Sequence, residues 1–176
     1  MITIRKAKEI DKPKLLKLAR RIEGSAKYED IVYPVPSLAE KEIDEHICRG
    51  ETFIAMEKSI IVSLAIVQKD VSSYFYPNSH SEGQLMEIVA KTDARMSEDM
   101  LALVFLGTDP MCRNKGIATS LLHSIEATFP RFLFLASLDI SNQPGIEYLR
   151  KNGYKKVDLE KFEFSSIAQQ LLFKRT

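Results

Sequence analysis

Cysteine is scarce. The chain has two, Cys48 and Cys112, far apart and without CxxC or Cys/His spacing, which excludes a disulfide framework and a structural zinc site and points to a reducing compartment. An excess of either charge is missing as well: 25 Lys and Arg stand against 24 Asp and Glu, a net charge of +1. Such a balance gives no general attraction to nucleic acid or to an anionic membrane, so any anion site has to be local. No apolar run approaches the roughly 18 residues of a membrane span. The opening MITIRKAKEIDK has no apolar stretch after its basic residues, and the sequence reads as a soluble, cytoplasmic protein. Internal repeats, low-complexity tracts and linkers are absent too. So are GxxxxGK[ST] and a GxGxxG after the first strand, which removes two familiar nucleotide-phosphate loops.

What is present fits one α/β domain over residues 1–176, with 45% hydrophobic and 28% charged residues, enough to bury a core without metal or disulfide support. Ile2 and Ile4 alternate with polar neighbours as a first strand. Asp11 then caps a helix with Pro13 in its first turn and Leu15, Leu16, Leu18 and Ile22 as its apolar stripe. Residues 24–37 break the pattern before a second helix from about Leu38 to Cys48. Thr52–Met56 and Ile60–Gln68 read as a hairpin. Residues 70–98 form a long irregular segment, expected on the substrate side. Asp99–Leu106 is apolar throughout and reads as an interior strand broken by Gly107 and Pro110. A helix through Ile117, Leu121, Leu122 and Ile125 follows, then a strand at Phe132–Leu138 and a helix from Asn142 closed by Gly153. Strands at Tyr154–Val157 and Gln169–Lys174 end the series. Cys48 is expected in the core, His46 and His123 on exposed or partly packed helix positions, and Cys112 as a small filler.

The string Arg113-Asn114-Lys115-Gly116-Ile117-Ala118 lies between the interior strand and a helix. The first N–H groups of a helix have no intrahelical partners and sit at the positive end of its dipole. A loop of small residues there can receive a phosphate. Gly116 and Ala118 permit close approach, and Arg113 and Lys115 add local positive charge. The matching ligand is a diphosphate or a nucleotide phosphate.

The string has the form [QR]xxGx[GA], and LVFLGTDPMCRNKGIATSLL around it resembles the acetyl-CoA-binding segment of the GNAT superfamily of N-acetyltransferases. Ile2–Ile22 is similar to that family's opening strand and helix, Asn142-x10-Gly153-Tyr154 to its later N…GF/GY motif, and the order β, α, α, β, β, β, α, β, α, β, β to its element order. The resemblance spans the chain. It implies a mixed, mostly antiparallel central sheet flanked by helices. It also implies acetyl-CoA as co-substrate without a metal, and an acetyl transfer to a primary amine of a small molecule or peptide by direct attack. The oligomeric state stays open, a homodimer included. By resemblance, the main chain of Leu106, Gly107 and Thr108 pairs with the pantetheine arm. The N–H groups from Asn114 to Ala118 hold the pyrophosphate, and the Asn142 amide binds pantetheine.

Two positions depart from the family pattern. Its thiolate-protonating tyrosine, seven residues after the motif asparagine, is Leu149 here, with Tyr148 one residue earlier; Tyr148 either acts as the acid or packs as an aromatic. Its glutamate, five residues before the asparagine, is Ser137. Asp139 lies two residues on, on the same strand face. Glu82, Glu87, Glu98 and Asp99 are further base candidates, and His80, Tyr74, Phe75 and Tyr76 are candidates for contact with the acceptor. These departures keep a second reading open, a CoA-binding sensor or partner domain without turnover.

Overall fold

The computed structural model describes residues 1–25, 40–69, 99–156 and 169–176. A seven-stranded sheet runs in the order β1-β2-β3-β4-β5-β7-β6. Its strands are β1 (Ile2–Lys6), β2 (Thr52–Glu57), β3 (Ile60–Gln68), β4 (Met100–Thr108), β5 (Leu133–Asp139), β6 (Lys155–Lys156) and β7 (Gln169–Arg175). All neighbours pair antiparallel except β4 and β5. Among the described residues the helices are α1 (Lys12–Ser25), α2 (Glu40–Cys48), α3 (Ile117–Thr128) and α4 (Gln143–Lys151).

Strand alternation sends apolar side chains to both faces of the sheet, and among the described residues each face is covered by one helix pair. Leu15, Leu18 and Ile22 of α1 and Ile43 and Ile47 of α2 pack with Ile54, Leu64, Ile66, Ala102 and Phe105. Leu121, Leu122 and Ile125 of α3 and Leu149 of α4 pack with Ala65, Leu101, Leu103, Phe134 and Leu138 on the other face. The central strands are buried on both sides, which is why β3 and β4 read as continuous apolar runs.

Strand β4 departs from this alternation once. The β3–β4 register shifts between Ile66 and Val67, which face Phe105 and Leu103 and leave Val104 unmatched. Val104 and Phe105 therefore lie on the same face, packed with α1, the mark of a β-bulge. After the bulge β4 continues through Gly107 to Thr108 rather than ending at Leu106. Gly107 works as a packing residue: a Cβ there would lie 2.8 Å from Phe105 Cε1 and 3.0 Å from Ile22 Cδ1.

Three local expectations also change. Asp11 does not cap α1 forward; its carboxylate turns back to accept the Lys8 N–H at 2.9 Å and to receive Arg5 at 2.7 and 2.9 Å. Cys48 is exposed. His46 is buried, its Nδ1 2.8 Å from Glu51 Oε2 at the junction of α2 and β2. His123 is exposed, and Cys112 is half-buried.

Candidate functional site

The parallel pairing of β4 with β5 consists of Met100↔Leu133, Leu101↔Phe134 and Ala102↔Leu135. Beyond it β4 runs on to Thr108 and β5 to Asp139 without pairing to each other. The strands diverge, and the β5-facing edge of β4 loses its ladder partner.

The register decides which main-chain groups face that opening. In an antiparallel pair, hydrogen-bonded and non-hydrogen-bonded residues alternate. The Asp109 N–H donates to the Val62 carbonyl at 2.8 Å, so Leu64↔Gly107, two residues back, is again a hydrogen-bonded pair. Gly107 therefore turns its N–H and C=O toward β3, and its carbonyl also accepts the buried Ser63 hydroxyl at 2.7 Å. This removes Gly107 from the groups expected to meet a pantetheine arm. Leu106 and Thr108 point theirs into the opening.

Past Thr108 the chain makes a 3-10 turn at Pro110–Cys112, held by Asp109. Asp109 Oδ1 accepts the Met111 N–H at 3.1 Å, and its carbonyl accepts the Cys112 N–H at 2.8 Å. Arg113 is extended (φ −65°, ψ 163°), Asn114 is left-handed (φ 60°), and Gly116 is left-handed (φ 73°, ψ 8°) at the start of α3. The left-handed residues Asn114 and Gly116 bend the chain tightly on its way into α3. Gly116 supplies no side-chain cap. Among the described residues, no protein group accepts from the N–H groups of Asn114, Lys115, Gly116, Ile117 or Ala118. A Cβ built at Gly116 would meet nothing within 4 Å. Donors, space and the positive end of a twelve-residue helix coincide here. Lys115 is exposed and reaches the Met111 carbonyl at 3.5 Å, while Arg113 is half-buried.

The second flank is α4. Asn142 is buried, and its Oδ1 accepts the Gly145 N–H at 3.0 Å. The side chain that the resemblance assigns to pantetheine thus caps its own helix. Leu149 is fully buried in the core. Tyr148 lies half-buried at the edge of the same cluster, its hydroxyl 3.4 Å from Thr119 Oγ1 on the first turn of α3. Burial raises the Tyr148 pKa above its ordinary value; the Thr119 hydroxyl opposes the shift and the Glu126 charge adds to it. The phenol keeps its proton at neutral pH.

Among base candidates, Asp139 closes β5 opposite Gln169, at the end where the strands diverge. Asp99 precedes Met100 and lies at the far end of β4 from Thr108, about 30 Å away along a nine-residue strand. Glu82, Glu87, Glu98, His80, Tyr74, Phe75 and Tyr76 lie outside the described residues, as does most of 24–37. Among the described residues no cluster of His, Cys, Asp or Glu has the makings of a metal site, and no helix is long and apolar enough to cross a membrane.

Several structuring residues carried no local sequence signal: Ser63 under the β4 carbonyl, Arg21 paired with Asp109 at 2.7 Å, and Lys174 paired with Glu126 at 2.7 Å. Asp109 itself could have been found, because Asp before Pro favours a turn.

No family model matches the chain, and no curated protein matches its sequence. Solved structures do match its fold. A GNAT-family acetyltransferase from Bacillus cereus superposes with a TM-score of 0.66 at 15% identity, over 100% of this chain and 98% of that one. The PaiA N-acetyltransferase of Thermoplasma acidophilum, solved with coenzyme A, gives 0.64 at 16% identity, over 100% and 99%. A polyamine N-acetyltransferase of Drosophila melanogaster that forms N-acetylagmatine gives 0.62 at 13% identity, over the whole of both chains. The fold of this chain is that of the GNAT acetyltransferases.

Proposed function

We propose that this protein is an acyl-CoA-dependent N-acetyltransferase that moves an acetyl group from acetyl-CoA to a primary amine of a small molecule or peptide, by direct attack in a ternary complex. The observation that carries the reading is the loop of unpartnered N–H groups at Asn114–Ala118, set beside a strand edge that has lost its neighbour. Coenzyme A has the two features this pair of sites selects, a diphosphate and a linear arm bearing amides.

Acetyl-CoA supplies the activated acyl group as a thioester. The protein's task is to bind, orient and manage protons. Asn114, Lys115, Gly116, Ile117 and Ala118 hold the diphosphate through their amides, with Arg113 and Lys115 adding charge. Leu106 and Thr108 lend strand-like hydrogen bonds to the arm. One of their N–H groups polarises the reacting carbonyl as a fixed dipole. Orientation of the two reactants alone can supply about 7–11 kcal/mol in favourable intramolecular models. Tyr148, protonated at neutral pH, is the candidate acid for the leaving thiolate. Asp139 is the candidate base for the ammonium, directly or through water.

A second reading has its own observation. Leu149 is fully buried where the family places its tyrosine, and buried Ser137 replaces the glutamate. A CoA-binding sensor or partner domain needs neither group. Titration with CoA, followed by thiol release from acetyl-CoA over a panel of amines, separates the readings. Binding with release establishes the transferase, binding without release on any amine establishes the sensor, and no binding refutes both.

A further inference from the structure

Arg21 and Asp109 form an ion pair that nothing in the local sequence announces. Arg21 belongs to α1, on one face of the sheet, while the turn it reaches leads into α3, on the other. Its Nη2 lies 2.7 Å from Asp109 Oδ2. Every polar group of Asp109 is engaged. Oδ1 accepts from Met111 N–H, Oδ2 from Arg21, the carbonyl from Cys112 N–H, and the N–H donates to Val62. Asp109 is buried, its side chain 10% exposed. A buried carboxylate that loses its cation is an uncompensated charge. It finds water most easily by rotating outward, and Asp109 cannot rotate without releasing the Met111 N–H and loosening the turn that delivers Arg113 and Asn114.

We propose that Arg21 is a positioning residue for the carrier loop: acting through Asp109, it presets the turn ahead of Asn114 so that the following amides converge before any ligand arrives. The inference rests on the CoA reading above and assigns Arg21 no contact with the ligand. Preorganisation raises affinity by removing an ordering cost from the binding step. The pair also joins the last turns of α1 to the carrier loop, so whatever holds α1 in place also holds the loop.

The test compares wild type with Arg21→Ala, Arg21→Lys and Asp109→Asn, each checked for a wild-type-like circular dichroism spectrum and titrated calorimetrically with CoA and with pantetheine, which lacks the diphosphate. The expected result is a CoA affinity about tenfold weaker in Arg21→Ala and Asp109→Asn, about 1.4 kcal/mol. Affinity is expected to recover to within about threefold of wild type in Arg21→Lys, with pantetheine affinity unchanged throughout. The Arg21→Ala/Asp109→Asn double variant is expected to be no weaker than either single one, since the two act as a unit. An Arg21→Ala protein that binds CoA like wild type overturns the proposal. So does one that loses CoA and pantetheine equally, which marks a general structural defect. If Asp109→Asn leaves CoA binding intact while Arg21→Ala weakens it, Arg21 touches the ligand directly and the positioning role is refuted. Wild-type protein that fails to bind CoA overturns the transferase reading itself, and this inference with it.

Discussion

Two helices follow the same end of the sheet, α3 after β4 and α4 after the parallel β5, and they begin in opposite ways. Helix α4 starts at a buried asparagine whose side chain takes the Gly145 N–H at 3.0 Å, with Pro144 in the first turn contributing no donor of its own. Its N-terminus is closed by the protein. Helix α3 starts at Gly116, which has no side chain to offer, and the amides before and after it are left bare. Both starts face the same demand, that the first N–H groups of a helix find acceptors. The protein meets it at α4 and leaves it unmet at α3, where the diphosphate of CoA is proposed to bind.

The largest expected effect comes from closing the open helix start. Gly116→Val puts a β-branched side chain at φ +73° and into the space where an anion would sit. CoA affinity is expected to fall by at least about a hundredfold in calorimetry, while the circular dichroism spectrum stays that of wild type. Retained affinity would refute the loop assignment. Opening the closed helix start should do the reverse. Asn142→Ala is expected to lower unfolding free energy by about 1–2 kcal/mol in urea, and CoA affinity by less than threefold. A loss of CoA binding larger than the loss of stability would return the Asn142 amide to the ligand.

Tyr148 spans the two helices, and Tyr148→Phe asks whether its hydroxyl does chemistry there. As the acid, it is expected to contribute at least about tenfold to kcat with little change in KM for acetyl-CoA. An unchanged kcat would make Tyr148 an aromatic wall between α3 and α4.

The smallest effect belongs to a third helix start, where Asp11 faces backward from α1. Its hydrogen bonds with Arg5 hold its pKa below the usual 3.8, and the Lys8 N–H and nearby positive charge act in the same direction against the cost of burial. A carboxyl depressed in the folded state stabilises above its unfolded pKa, and that stability drains away as pH falls through the lower folded value. With Arg5 one-third exposed, Asp11→Asn should cost about 1 kcal/mol at pH 7. The difference from wild type should shrink as pH falls below about 4. A gap independent of pH would place the effect in packing.

Elements set by hydrophobic period were legible in the sequence. Leu15, Leu18 and Ile22 announce α1, Leu121, Leu122 and Ile125 announce α3, and the apolar runs of β3 and β4 announce central strands. The position of the Arg113–Gly116 loop between β4 and α3 was legible for the same local reason. What escaped was set by contacts between distant parts of the chain. Gly107 reads as a strand breaker, but the Phe105 ring lies where its side chain would be. Asp11 has the form of a forward cap, yet Arg5 competes for its carboxylate. His46 lies on a polar-looking helix and is buried by Glu51. Asn142 carries a motif position, and a single asparagine at a helix start serves a cap or a ligand equally well by pattern.

The three-residue pairing of Met100–Ala102 with Leu133–Leu135 is the sole ladder joining β1–β4 to β5–β7–β6 among the described residues. Opening that seam breaks few bonds compared with melting either block. Amide exchange at the seam should therefore report a cheap sub-global opening, with slower exchange in the middle of β3 and in β5 where it faces β7. The sheet is thus two ladders that meet over three residue pairs, and the apolar cores on both faces span the join.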